Sequence, residues 1–250
     1  MQLPVIRGII DRRILANFRI DPDVLASQLP SPFRPQLVND YGVAGICLIR
    51  LKAARPRWLP AAFGFSSENA AHRIAVEWNE GDETRTGVYV PRRDSSSWLM
   101  SMAGGRIFPG VQHQANFSVR ETEREFYVSM TSSDGKASVL VDAVVRDDLP
   151  EGSVFESVQD ASEFFRCGSL GYSPDREGNF DGIELCCDRW AVESLDPVEV
   201  RSSWFDDTNS FPKGSVAFDN ALLMRGIDHS WHSRHSLTRL ASSATASTAT

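Results

Sequence analysis

The sequence predicts an α+β chain built of mostly antiparallel β-sheets curved into a cone or barrel, with a few short helices. Three observations carry this. Apolar and polar residues alternate with period two over much of the chain. Turn-forming tetrapeptides, Asn79-Glu80-Gly81-Asp82 and Ser133-Asp134-Gly135-Lys136, join two pairs of such segments. Helical spacing is confined to three short stretches.

In chain order, residues 4–20 are extended, with Ile14, Ala16 and Phe18 on one face. Asp21 caps a short helix whose first position is Pro22, and Pro30, Pro32 and Pro35 end it. Residues 41–51 are apolar on both faces, as in a strand covered on both sides. The Pro-interrupted loop after them is expected to pack Trp58, Phe63 and Phe65 inward. A hairpin follows, with His72, Ile74, Val76 and Trp78 alternating with Arg73, Ala75 and Glu77 and residues 85–92 returning. A helix through Trp98 and Met102 stops at Gly104-Gly105. Residues 125–131 and 138–146 form the clearest hairpin, joined by a type I′ turn signature. A helix near residues 158–165 puts Phe164 and Phe165 inward, and further strands are expected near 183–187, 198–204 and 216–224. Residues 1–238 read as one domain, and the low-complexity tail 239–250 as disordered.

Composition excludes several classes. The chain of 250 residues has a net charge of -7, which argues against nucleic acid and anionic membranes as partners. No run of apolar residues is long enough for a membrane helix, and the first residues lack a signal-peptide pattern. Cys47, Cys167, Cys186 and Cys187 have no metal spacing, so reduced thiols in a cytoplasmic protein are expected. The nucleotide-binding glycine fingerprints and GxSxG are absent, so neither a nucleotide nor any other cofactor is expected. The basic residues are 23 Arg and only three Lys, at positions 52, 136 and 213.

Several motifs, in order, carry a resemblance: residues 11–35, then 41–56, then Glu68-Asn69 followed by Arg73, the Gly87-Val88-Tyr89-Val90 strand, Gly105-Arg106-Ile107-Phe108-Pro109, and residues 217–232. Together they resemble the YqjF-like family of uncharacterised bacterial proteins within the acetoacetate decarboxylase-like superfamily. The resemblance implies antiparallel sheets wrapped around a central pocket, and it implies self-association into a homo-oligomer. In the decarboxylase, a lysine after Tyr-Pro forms a Schiff base with a β-keto acid, its pKa lowered by a neighbouring lysine. The matching stretch here is Phe108-Pro109-Gly110-Val111-Gln112, with no lysine between Lys52 and Lys136. Acetoacetate-type imine chemistry is therefore not expected.

The remaining candidates each have two readings. Glu68, at the family's acidic position, is a general base or an ion-pair partner of Arg73 or Arg106. Arg106 holds a substrate carboxylate or satisfies helix-end carbonyls. Arg12 and Arg13 lie where the superfamily's pocket arginine falls. They face opposite sides of a strand, so at most one enters the pocket; Arg12 is taken as substrate-binding, with Arg73 and Arg106. His113 is a pocket base or a hydrogen-bonded wall residue. His229, His232 and His235 lack a metal-motif partner and read as a surface or interface cluster. Three functions fit: a lysine-independent lyase, hydratase or hydrolase on a small carboxylate or carbonyl compound, a non-catalytic small-ligand binder, or a structural protein whose pocket its own aromatics fill.

Overall fold

The computed structural model describes residues 4–98 and 110–238. The expected Gly104-Gly105 helix end, Arg106 and the tail 239–250 lie outside the described residues. β1 (Ile6–Ile20) pairs antiparallel with β13 (Val216–Leu237) on one side and with β4 (Tyr41–Pro56) on the other. β4 pairs with β5 (Phe65–Glu80), and β5 with β6 (Glu83–Ser95). These five strands form a wall.

Two sets of strands leave the wall and return to it. β7 (Gln112–Glu121) runs parallel to β6 at Arg93, Asp94 and Ser95. It leads through β8 (Glu125–Ser132), β9 (Ser138–Arg146) and β12 (Glu193–Ser202) back to β13 at Ala221, Leu222 and Leu223. β10 (Leu170–Pro174) runs parallel to β6 at Val88 and Tyr89, and β11 (Phe180–Cys187) returns from it to the other half of β13, from His229 to Leu237. Two closed circuits thus share the wall, and each covers part of its outer strands β6 and β13. Two short strands, β2 (Arg34–Pro35) and β3 (Leu37–Val38), add to β5 and β4.

Alternation along the wall sends successive side chains to opposite interiors. On one face Ile14, Ala16, Ile46, Leu48 and Ile74 meet Val128, Met130, Val141 and Leu195 of the β7–β12 circuit, a packed apolar core. On the other, Leu15, Val43 and Leu222 pack against Ala161 and Phe165 of α2 (Val158–Cys167). From Gly42 to Ile49 every residue of β4 is buried, as expected for a strand covered on both faces. Asp21 caps α1 (Pro22–Ser27), accepting from the backbone N–H groups of Asp23 and Val24 at 3.0 and 3.1 Å.

Two local expectations change. Trp58 and Phe63 are 75% and 71% exposed, because the segment around them bulges off the sheet between β4 and β5 instead of folding over it. The β8–β9 turn is not type I′, which needs two residues of positive φ. Only Gly135 is left-handed (φ +70°), and Asp134 closes a longer loop by accepting from the Ser132 hydroxyl and Lys136 N–H.

His72 lies on the packed face, 1% exposed, with neither ring nitrogen hydrogen-bonded and Trp204 edge-on at 5.2 Å. Burial, helped by Arg92, pushes its pKa down to about 4. The folded state therefore resists protonating it while the unfolded chain does so near pH 6.5. Its contribution is intact above pH 6.5 and lost as pH falls from there to about 4. Melting curves from pH 7 to pH 4.5 should show His72→Leu losing less stability than the wild type, by on the order of 2–3 kcal/mol. Parallel curves for the two proteins would disprove it.

Candidate functional site: an arginine-lined cavity

The face of the wall opposite the packed core holds a partly open cavity of about 120 Å³, with residues of β10 and β11 among its lining. Small side chains create it: Cys47 and Ala71 lie opposite each other on β4 and β5, and Ser169 and Gly171 face them from β10 and its approach. Ile49, Leu51, Val90, Ile183, Leu185 and Trp231 form apolar walls. Three arginines reach it from adjacent strands, Arg13 on β1, Arg73 on β5 and Arg93 on β6, together with the amides of Asn69 and Gln112.

None of these three guanidinium groups has a carboxylate partner among the described residues. Arg13 Nε donates to Cys47 Sγ at 3.3 Å, and its Nη1 lies 3.7 Å from Met224 Sδ. Arg93 Nε donates to Ser173 Oγ at 3.0 Å. Arg73, 5% exposed, donates to Asn17 Oδ1, stacks over the Phe165 ring at 4.5 Å, and leaves Nε without an acceptor. Gly45 makes its path possible: a Cβ there would meet Ala16 O at 2.4 Å and Asn17 Oδ1 at 3.0 Å. Desolvation lowers the pKa of Arg73 and of Arg93 to about 10, with nearby Arg13 adding to the effect on Arg73. The carboxylate that reaches the cavity wall, Asp94, is already neutralised by two hydrogen bonds from Arg92 Nε and one from Nη2.

The residues singled out in the sequence divide between the two faces. Arg73 lines the cavity. Glu68 does not pair with it; its oxygens accept from Arg12 Nη2 and Arg50 Nε, both at 2.5 Å. Arg12, 2% exposed, also binds Glu121 at 2.9 Å, and Arg50 pairs with the same carboxylate. This network lies on the packed face. His113 turns the same way, with Nδ1 3.4 Å from Asp134, whose carboxyl the Arg92 and Ser132 hydrogen bonds hold below the usual range. Arg106 lies outside the described residues.

The neighbours in sequence of three candidates occupy the cavity instead: Arg13 beside Arg12, Asn69 beside Glu68, and Gln112 beside His113. A one-residue change of parity moves a strand side chain to the other face. Cys47 and Arg93 are further cavity residues that sequence reasoning missed as site members, alongside Asn69 and Gln112. Arg93 shared its signal with Arg92, since one of two adjacent residues on a strand must face the cavity.

His229 is buried rather than superficial, packed on Trp231 with ring centroids 4.3 Å apart, and burial pushes its pKa down to about 4. His232 bonds Ser230 at 2.9 Å and His235 pairs with Glu80 at 3.0 Å. Among the described residues no cluster of His, Cys, Asp and Glu could hold a metal, and no helix is long and apolar enough to cross a membrane.

Comparison with solved structures places this two-circuit architecture. Acetoacetate decarboxylase from Legionella pneumophila superposes with a TM-score of 0.58 at 13% identity, over 93% of this chain and 88% of that one. An acetoacetate decarboxylase-like enzyme from Sphingomonas wittichii RW1 gives 0.54 at 13% identity, over 95% and 94%. The enduracididine biosynthesis enzyme MppR gives 0.55 at 11% identity, over 96% and 90%. At such identities the likeness is one of fold. No curated protein sequence matches. A family model matches residues 10–175, which span most of the wall and the cavity-lining strands. The chain belongs to the DUF2071 family of uncharacterized conserved proteins, on the fold of the acetoacetate decarboxylase-like superfamily.

Proposed function

We propose that this protein is a YqjF-like member of the superfamily that binds a small carboxylate or carbonyl compound in the arginine-lined cavity, without forming a lysine imine. The observation that carries the reading is Arg73: a cation 5% exposed, without an anion among the described residues, beside two further guanidiniums. An uncompensated buried charge costs several kcal/mol, and a bound anion is the economical way to offset it. Guanidinium forks match carboxylate geometry. Size agrees, since a cavity of about 120 Å³ lies just below the roughly 150 Å³ that accommodates benzene. MppR, which shares the fold with a TM-score of 0.52 in its pyruvate complex, is a protein whose ligand belongs to this chemical class.

The chain's three lysines all lie away from the cavity. Lys52 pairs with Asp11 at 2.8 Å on the surface, and Lys136 and Lys213 sit in exposed turns. Binding is then by charge, hydrogen bonding and shape, with the Gln112 amide at the cavity wall, while Ile49, Ser67 and Ser95 already engage the Asn69 amide.

Titration calorimetry with pyruvate as probe tests the reading. Arg73→Met should weaken binding about ten- to a hundredfold, the worth of a charged hydrogen-bonded contact. The same variant should melt no lower than the wild type without ligand, because a buried unpaired charge has been removed. A variant that binds as well as the wild type would refute the site. Glu68→Gln provides the complement from the packed face. It should cost about 2 kcal/mol of stability by loosening the Arg12 and Arg50 pairs and change pyruvate affinity by less than about twofold. Loss of binding with stability intact would instead put Glu68 to work in the cavity.

A further inference from the structure

Cys47 occupies the centre of the cavity face. Its cross-strand neighbours are Leu15 on β1 and Ala71 on β5, and Ala71 in turn faces Arg93 on β6. Arg73 lies two residues beyond Ala71 on the same face, and Arg13 two residues before Leu15. The thiol thus lies on the face that carries the three arginines, and one of them, Arg13, donates to its sulfur at 3.3 Å. It is free, not bonded to another cysteine, and lines the cavity directly. The other three cysteines lie elsewhere: Cys167 and Cys186 are exposed and Cys187 is half-buried on β11.

Two independent features meet here. The first is the candidate anion site, marked by Arg73, which lines the cavity, is 5% exposed and has a buried Nε without an acceptor. The second is a soft nucleophile at its floor. No lysine reaches the cavity, and serine and amide groups are weak nucleophiles at neutral pH. An anion docked on the arginines is held against sulfur, which replaces a bimolecular encounter by a positioned one.

We infer that Cys47 is the nucleophile of this site and captures small 2-oxo carboxylates as a reversible thiohemiketal, an inference that rests on the carboxylate-binding reading above. In the capture step the sulfur bonds to the carbonyl carbon and the carbon–oxygen π pair moves onto oxygen. The proton leaving the thiol ends on that oxygen, so the product is a tertiary alcohol; no group departs and no oxidant is consumed. The arginines hold the carboxylate and stabilise the developing oxyanion.

The test uses the full chain with Cys167, Cys186 and Cys187 replaced by serine, leaving Cys47. Intact-mass spectrometry follows its alkylation by iodoacetate, an anion, and by iodoacetamide, its neutral analogue. At Cys47 iodoacetate should react at least tenfold faster than the amide. Arg73→Met should abolish that preference, and pyruvate should slow the labelling. Carbon NMR with pyruvate labelled at C2 should show the carbonyl signal replaced by a tetrahedral one, absent in Cys47→Ser and in Cys47→Ala. Iodoacetate reacting no faster than iodoacetamide overturns the inference, as does bound pyruvate whose carbonyl signal is unchanged. In that last case calorimetry still registers binding, so the carboxylate reading survives while the thiol's role falls. Absence of any pyruvate binding overturns both.

Discussion

The structure depends on one constraint: five strands serve two interiors at once. Because a β-strand alternates its side chains, successive buried residues of β1, β4 and β5 face opposite interiors, the packed core on one side and the cavity with the α2 cluster on the other. β4 shows the cost, with an unbroken buried stretch from Gly42 to Ile49 and no room for a charged residue. Charges sit beyond that stretch of β4 and on β1, β5 and β6, and the wall treats them differently on its two faces. On the packed face Arg12 and Arg50 share Glu68 and Glu121, so each charge meets its opposite within hydrogen-bonding distance. On the cavity face Arg13, Arg73 and Arg93 have sulfur, hydroxyl, amide and aromatic neighbours but no carboxylate among the described residues.

That asymmetry separates structural charge from functional charge more sharply than any single residue does. A closed network of alternating sign is what folding alone would select, since a buried pair that lost one partner would be strongly destabilising. An accumulation of one sign against apolar walls has no such rationale. Left without a counter-charge it costs the fold stability, and this is the ground on which a carboxylate site is proposed. The surrounding geometry is consistent with this. Gly45 leaves room for Asn17, which accepts from Arg73, while Cys47, Ala71 and Gly171 are small residues of the cavity lining.

Most strands, the first helix with its Asp21 cap, and the double burial of β4 were legible in the sequence because each rests on local periodicity or capping chemistry; β10 was not, since Leu170–Pro174 lies in a stretch rich in Gly, Pro and Asp that reads as a turn-rich connection. The allocation of polar residues to faces was legible too, had parity been followed outward from the apolar residues. Ile14, Ala16 and Phe18 mark the core face of β1, which puts Arg12 with them and Arg13 opposite. Ile74, Val76 and Trp78 do the same on β5, which puts Glu68 in the core set and Arg73 and Asn69 in the other. What sequence periodicity could not supply is closure: the parallel pairing of β6 with β10, and the return of β11 to β13, bring Ser169, Gly171 and Ile183 over the wall by pairings between residues far apart along the chain, such as Gly171 with Val88 and Ile183 with Ser233. Non-local pairings of this kind leave no local pattern. Trp58 and Phe63 illustrate the reverse error, since hydrophobicity alone placed them inside a fold whose bulge carries them out.

The identity of the buried cations also limits the chemistry. Desolvation pushes both Arg73 and Arg93 down to about 10, yet at pH 7 a group with that pKa is still protonated by about a thousand to one. The same desolvation acting on a lysine, whose ordinary value lies some two to three units lower than arginine's, carries it toward neutrality and makes it a base or an imine-forming nucleophile. Burial therefore turns lysine into a reagent but leaves arginine a fixed charge. A cavity of this fold lined by arginine can orient an anion, polarise a carbonyl and stabilise an oxyanion, but its cations cannot supply an electron pair. Bond formation at this site has to come from a group of another kind, and among the described side chains lining the cavity the thiol of Cys47 is the strongest nucleophile.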